Sequence, residues 1–240
     1  GAGVGRVRVG VDPLGRYVRH VVGTVEQDLT GLRIVVDGAN GAASLAAPSV
    51  YRELGADVIE IHTAPDGYNI NEACGSTHMG DLQAAVIAEG ADAGIAHDGD
   101  ADRCLAVDAA GNIVDGDQIM AILAVARKEH GQLPGDTVVA TVMSNLGFRL
   151  AMDANGIRVR ETAVGDRYVL EAMLAEGYTL GGEQSGHMLL LDKATTGDGV
   201  LTAAQVLARM SEVGAPLSEL AAVMRRLPQV LVNVTGVDRA

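Results

Sequence analysis

Aromatic residues are scarce in this 240-residue chain: five Tyr, one Phe and no Trp. Proteins that grip single-stranded nucleic acid stack bases on aromatic rings and need more of them. Positive charge is short as well. Eighteen Lys+Arg face 31 Asp+Glu, a formal net charge of −13. That excludes nucleic acid and anionic membrane as main electrostatic partners. Only two cysteines occur, Cys74 and Cys104, and they form no Cys-x-x-Cys. The expectation is a reduced, cytoplasmic protein without structural zinc. No apolar run reaches the ~18 residues of a membrane span. Residues 1–10 (GAGVGRVRVG) lack the apolar centre of a secretory signal.

Core material, by contrast, is ample, with 48% hydrophobic residues. At ~150 residues per domain, the length suits one large domain or two small ones. The 31 glycines are scattered between apolar runs and read as turns. Short apolar segments predict strands over 32–37, 57–62, 92–96, 104–108, 137–142, 157–162, 178–180, 187–191 and 229–234. Between them, helices are expected up to residue 54 and over 81–89, 117–130, 144–154, 166–176, 198–213 and 217–226. Asp117 is read as the cap of the third of these, and 17–27 as a helix or linker. Strands alternating with helices imply α/β layers with a largely parallel or mixed sheet.

The pattern also repeats. Residues 88–124 and 175–208 both run helix, Ala-Glu-Gly, strand, polar Gly-rich loop, apolar strand ending in Asp, loop, Gly-Asp, helix. The expected fold is therefore two related three-layer α/β domains with mixed sheets, side by side around a cleft. Their bounds are read as 29–115 and 116–228. Residues 1–28 then form a linker or the end of a preceding domain, and 229–240 the first strand of a following one. In this arrangement the loops 98–103 and 182–187 are counterparts.

Loop 98–103 (DGDADR) offers carboxylates at Asp98, Asp100 and Asp102. Three hard oxygen donors at alternate positions suit Mg²⁺ or Ca²⁺. An EF-hand is excluded, because its sixth position is Arg103 and its twelfth Ala109. Arg103 stands ready to hold a phosphate or its developing charge. An acidic surface turn is the competing reading. Residues 181–187 (GGEQSGH) are neither a P-loop nor a nucleophile elbow. Glu183, Ser185 and His187 alternate, so an extended loop would present all three on one side, suited to vicinal sugar hydroxyls. A polar turn is the alternative there. Asp166 and Asp198 are expected as helix caps, Arg167 as a helix-start cation, and 74–78 (CGSTH) as a structural loop.

Taken together, DGDADR (98–103), VGDRYV (164–169), GGEQSGH (181–187), TTGDG (195–199) and NINEACGSTH (69–78) resemble the α-D-phosphohexomutases. The match runs in order over nearly the whole chain. Of these, VGDRYV, TTGDG and NINEACGSTH look most like the branch that interconverts glucosamine 6-phosphate and glucosamine 1-phosphate for cell-wall precursor synthesis. The resemblance implies a four-domain enzyme in which a phosphoserine of the first domain donates its phosphoryl group. A bisphosphorylated sugar follows, turns over, and returns the other phosphate. It implies Mg²⁺ on Asp98, Asp100 and Asp102, with Arg103 beside the transferring phosphate. Glu183 and Ser185 would bind sugar hydroxyls, with His187 nearby and Arg167 as a further substrate contact.

Departures from the family pattern are equally clear. No Ser-His-Asn-Pro nucleophile segment and no Arg-x-Ser-Gly-Thr-Glu phosphate loop occur here. This chain is thus expected to be the central second and third domains, inactive without its missing N- and C-terminal domains. A homodimer of the full-length form stays open. The alternatives are the phosphomannomutase/phosphoglucomutase branch, or a non-catalytic module that binds Mg²⁺ and sugar phosphate.

Overall fold

A computed structural model describes Gly5, residues 10–230 and Val232 of the chain. Its first sheet holds β1 (Arg33–Asp37), β2 (Asp57–Ile61), β3 (Ala93–His97), β4 (Cys104–Asp108) and β5 (Ile113–Val114) in the order β2-β1-β3-β4-β5. β2, β1 and β3 are parallel, whereas β4 and β5 join antiparallel. The second sheet holds β6 (Thr137–Thr141), β7 (Arg158–Thr162), β8 (Leu180–Gly182) and β9 (Met188–Leu190) in the order β7-β6-β8-β9. Again three strands are parallel and the last antiparallel. The order and sense of β7-β6-β8-β9 reproduce β2-β1-β3-β4, so the sequence repeat is a repeat of topology.

Each sheet is covered on both faces, as apolar parallel strands require. α3 (Gly80–Glu89) lies on one face of the first sheet, with Leu82 and Val86 packed on Val35, Ala96 and Val107. Its counterpart α6 (Asp166–Glu176) lays Val169 and Met173 on Val139 and Leu189. The other faces carry α2 (Ala43–Glu53) and α5 (Leu146–Ala154). α1 (Pro13–Val22) starts and ends earlier than the stretch 17–27 read as a helix or linker, and buries Val18 and Val21 against α2 and a later helix.

Two helices cross over between the repeats. α4 (Gly116–Glu129) follows the first sheet yet packs on α5 and β8 of the second. α7 (Gly199–Val213) follows the second sheet yet packs on α1, α2, β3 and β4 of the first. One apolar core therefore runs through both sheets, from Ile34 and Ile95 through Met120 and Leu207 to Val138 and Met188.

Several elements differ from expectation. The cap of α4 is Asp115, whose carboxylate accepts the Gln118 N–H at 3.1 Å in a capping box. Asp117 is instead fully buried in the first turn and accepts the Asn145 N–H at 2.7 Å. α6 is capped by Gly165, and Asp166 is its first residue. The strand read over 178–180 is displaced to Leu180–Gly182, because both glycines are strand residues. A Cβ at Gly181 would meet Met173 Sδ at 2.6 Å and Val169 Cγ1 at 2.8 Å, so its absence lets α6 approach the sheet.

α8 is only Leu217–Ala221, shorter than 217–226. The Asn145 side chain accepts the Leu227 N–H at 3.0 Å and donates to the Leu227 carbonyl at 2.8 Å, which draws the chain out extended before Pro228. Gln229, Val230 and Val232 belong to no strand, and the rest of 229–234 lies outside the described residues. β5 had no counterpart among the sequence expectations.

Candidate functional site

Loops 98–103 and 183–187 leave the carboxyl ends of the equivalent strands β3 and β8, where open α/β sheets bind ligands. Each closes a hairpin: His97 pairs with Cys104, and Gly182 with Met188. The two hairpins are laced together through the backbone. Arg103 and His187 form an antiparallel bridge, and the Cys104 N–H donates to the Gly186 carbonyl at 3.0 Å. Gly116 N–H donates to Gln184 at 3.1 Å, and Gly199 N–H to Ala101 at 2.9 Å. The TTGDG turn is thereby seated on the metal loop as well.

In loop 98–103, one ligand oxygen from each of Asp98, Asp100 and Asp102 lies within 4.8 Å of the others. Ala101 takes φ 65°, an uncommon left-handed conformation that turns the chain so the acids converge. Asp98 is buried and accepts the Arg103 N–H at 3.2 Å, whereas Asp100 is exposed. Burial pushes the Asp102 carboxyl above its ordinary range; the charge of Asp98 adds to this and His187 opposes it. Asp102 Oδ1 is buried and accepts no hydrogen bond. An octahedral Mg²⁺ with bonds of about 2.1 Å spaces its ligands about 3–4 Å apart. The donor set, the converging charge and the orphaned oxygen all fit such an ion.

Arg103 folds back over its own loop. Its Nε is 3.5 Å from Asp98 Oδ2 and 3.7 Å from Asp102 Oδ1. A hollow of about 330 Å³ opens beside Asp100 and Ala101, walled by Tyr17 and Asp198. Asp198 caps α7 as expected, accepting the Leu201 N–H at 2.9 Å, and also accepts the Tyr17 hydroxyl at 2.8 Å.

Loop 183–187 is not the extended segment that alternation suggested. Gly186 N–H donates to the Glu183 carbonyl at 3.0 Å, closing a tight turn that sends the three side chains different ways. Glu183 Oε1 accepts the Gly165 N–H at 3.0 Å, joining this loop to the start of α6. Ser185 is exposed. His187 is buried, and its Nε2 stands 3.4 Å from Asp102 Oδ2. Arg167, in the first turn of α6, is exposed and pairs with Glu171 at 2.7 Å.

One supporting pair escaped sequence reasoning. His97 is fully buried beneath the metal loop, its Nδ1 3.1 Å from the Arg103 carbonyl and its Nε2 3.0 Å from the Tyr51 hydroxyl. Burial pushes the imidazole below its ordinary range, so it is neutral. The available signal was a histidine between an apolar strand and three acids.

Two family models match the chain: phosphoglucomutase/phosphomannomutase alpha/beta/alpha domain II over residues 15–111, and domain III over 115–227. The phosphoglucosamine mutase of Acidothermus cellulolyticus is 67% identical over 236 residues, covering 98% of this chain and 51% of that protein. That of Corynebacterium efficiens is 61% identical over 241 residues, covering 100% and 54%. The chain thus spans about half the length of the curated relatives it matches. A phosphoglucomutase/phosphomannomutase family protein from Burkholderia thailandensis has a similar structure, with TM-score 0.79 and 26% identity over 91% of this chain and 47% of that one. Aspergillus fumigatus N-acetylphosphoglucosamine mutase, solved with GlcNAc-6P and magnesium, shares the fold with TM-score 0.64 and 20% identity over 90% and 53%. With consecutive family domains accounting for both sheets and both loops, this chain belongs to the phosphoglucomutase/phosphomannomutase family, the α-D-phosphohexomutases.

Proposed function

We propose that the chain supplies the metal half-site and the sugar half-site of a phosphoglucosamine mutase. The whole protein would interconvert glucosamine 6-phosphate and glucosamine 1-phosphate through a phosphoserine and a bisphosphorylated sugar. The serine and the terminal phosphate loop would come from chain beyond this sequence. The two half-sites belong to α/β units at 29–115 and 116–228, in a cytoplasmic protein. The observation that carries the reading is the Asp102–His187 contact at 3.4 Å, which joins a hard-cation site to a polar loop in one wall.

Asp98, Asp100 and Asp102 would hold Mg²⁺. Once bound, the ion would supply positive charge to the oxygens of the transferring phosphoryl group. His187 orients Asp102, and the backbone bridge at Arg103 fixes the distance between the loops. Arg103 is poised to swing from its own acids to a phosphate oxygen, since ligation by the cation would release it. Glu183, tied to Gly165, and the exposed Ser185 would accept from and donate to sugar hydroxyls. Arg167 would extend its free guanidinium edge toward the phosphate. Positioning and charge, more than covalent chemistry from this chain, would lower the barrier.

The test is a chimera in which this chain replaces the matched half of the Acidothermus cellulolyticus relative. It should turn over glucosamine 6-phosphate, with kcat/KM falling ~100-fold or more for Asp100→Asn and ~10- to 100-fold for Glu183→Gln. A strong preference for mannose phosphate would move the chain to the neighbouring branch. Binding of Mg²⁺ and sugar phosphate without turnover would favour a non-catalytic module.

A further inference from the structure

A second cluster of metal-ligand side chains lies behind the loop that carries Asp98. Asp37 ends β1, His62 follows β2, and Cys74 precedes a short 3₁₀ turn at Gly75–Thr77. One ligand atom from each lies within 4.8 Å of the others. Asp37 and Cys74 are wholly buried, and His62 is a quarter exposed, which leaves one open side.

We propose that Asp37, His62 and Cys74 form a site for a zinc-type divalent cation, distinct from the magnesium loop. The donor set is the first argument. A carboxylate, an imidazole and a thiolate suit Zn²⁺ or Co²⁺, whereas Mg²⁺ takes oxygens. Spacing is the second. Tetrahedral zinc, with N and O bonds of about 2.0–2.2 Å, sets those ligand atoms about 3.3 Å apart. His62 Nδ1 is 3.1 Å from Asp37 Oδ2. The two atoms are close without forming a hydrogen bond, since Nδ1 is buried and has no hydrogen-bond partner.

The surroundings of the ligands agree. Asp37 accepts the Ala39 N–H on Oδ1 and the Gly75 N–H on Oδ2, both at 2.9 Å, which fixes the carboxylate and leaves lone pairs free. The other His62 nitrogen, Nε2, lies 3.4 Å from Asp81 Oδ2. A carboxylate on the far nitrogen is the usual support of a metal-bound histidine. Cys74 Sγ, buried beside Asp37 and His62, accepts the Asn40 side-chain N–H at 3.9 Å, which orients the sulfur within the cluster. The backbone is held unusually here as well. Among the described residues, Ala39, Asn40, His62, Asn71 and Ala73 all take positive φ. Gly75 lies against the His97 carbonyl, so an ion at this site would brace the base of the magnesium loop.

Co²⁺ titration of the metal-stripped 240-residue chain, read by absorption, tests the site. A thiolate-to-cobalt charge-transfer band should saturate at one equivalent, vanish on adding Zn²⁺ and survive excess Mg²⁺. Cobalt on the aspartate loop is silent in this band, so Asp100→Asn should leave it unchanged. Cys74→Ser should abolish it, His62→Gln should weaken cobalt binding at least 10-fold, and Asp81→Asn should weaken it ~10- to 100-fold. Absence of the band in the wild type overturns the proposal. So does a band that survives Cys74→Ser and disappears in Cys104→Ser. If Cys74→Ser fails to fold by circular dichroism, His62→Gln decides alone, and an unchanged band there overturns the site.

Discussion

Tyr51→Phe isolates the pair that supports the metal loop. It removes one hydroxyl from a fully buried contact with His97 Nε2. The ring is neutral, so one nitrogen donates and the other accepts. Nδ1 faces the Arg103 carbonyl, which can only accept, so Nδ1 carries the hydrogen and Nε2 takes the Tyr51 proton. Without that proton, Nε2 is a buried acceptor with no donor, which costs about 1–3 kcal/mol. For a chain of this size, each kcal/mol lowers Tm by about 2–4 °C, so thermal unfolding should come roughly 2–12 °C earlier. Burial depresses His97 from its ordinary 6.5, so the unfolded chain takes up this proton more readily. The contribution of this group is therefore complete above pH 6.5 and lost as pH falls below it toward the folded value. Nitrogen chemical shifts of the ring should show the Nδ1–H form at neutral pH. An Nε2–H ring, or a Tm change of less than about 1 °C, would refute the reasoning.

Three further outcomes follow from single residues. Asp100→Asn should remove Mg²⁺ binding by calorimetry with little change in Tm, because Asp100 is exposed; unchanged affinity sinks the ligand assignment. Gly181→Ala should destabilise by about 1–3 kcal/mol in urea unfolding, since its Cβ would press on Met173, Val169 and the Val139 carbonyl. Asp117 is pushed up to about 6, chiefly by burial, so its charged form weakens the fold above that pH and the strain is relieved below it. Asp117→Asn should then stabilise by on the order of 2 kcal/mol at pH 8, and the gain should shrink toward pH 4 in chemical denaturation.

Legibility tracked distance along the chain. β4 at 104–108 and α6 at 166–176 have the bounds read from sequence, because each is an apolar pattern closed by local signals. The acid loop was equally legible, since all its donors lie within five residues. Tertiary preferences defeated local ones elsewhere. Asp117 looks like a cap but is drawn inward by Asn145, leaving the cap to Asp115. The tight turn at 183–186 broke an alternation that assumed an extended loop. No spacing rule joins Asp37, His62 and Cys74, which separate connections bring together.

The reach of α7 into the first half has a mechanical meaning. The first sheet borrows part of its cover from the second half of the chain, and α7 in turn buries a face on α1 and α2. A cut between the halves would strip an apolar face from both, so the pieces should survive only as co-expressed, complementing fragments. The seam is a weld and not a joint. The gap between the aspartates and Glu183 is then a fixed gauge, set by side-chain packing, against which any moving part of a larger enzyme would have to close.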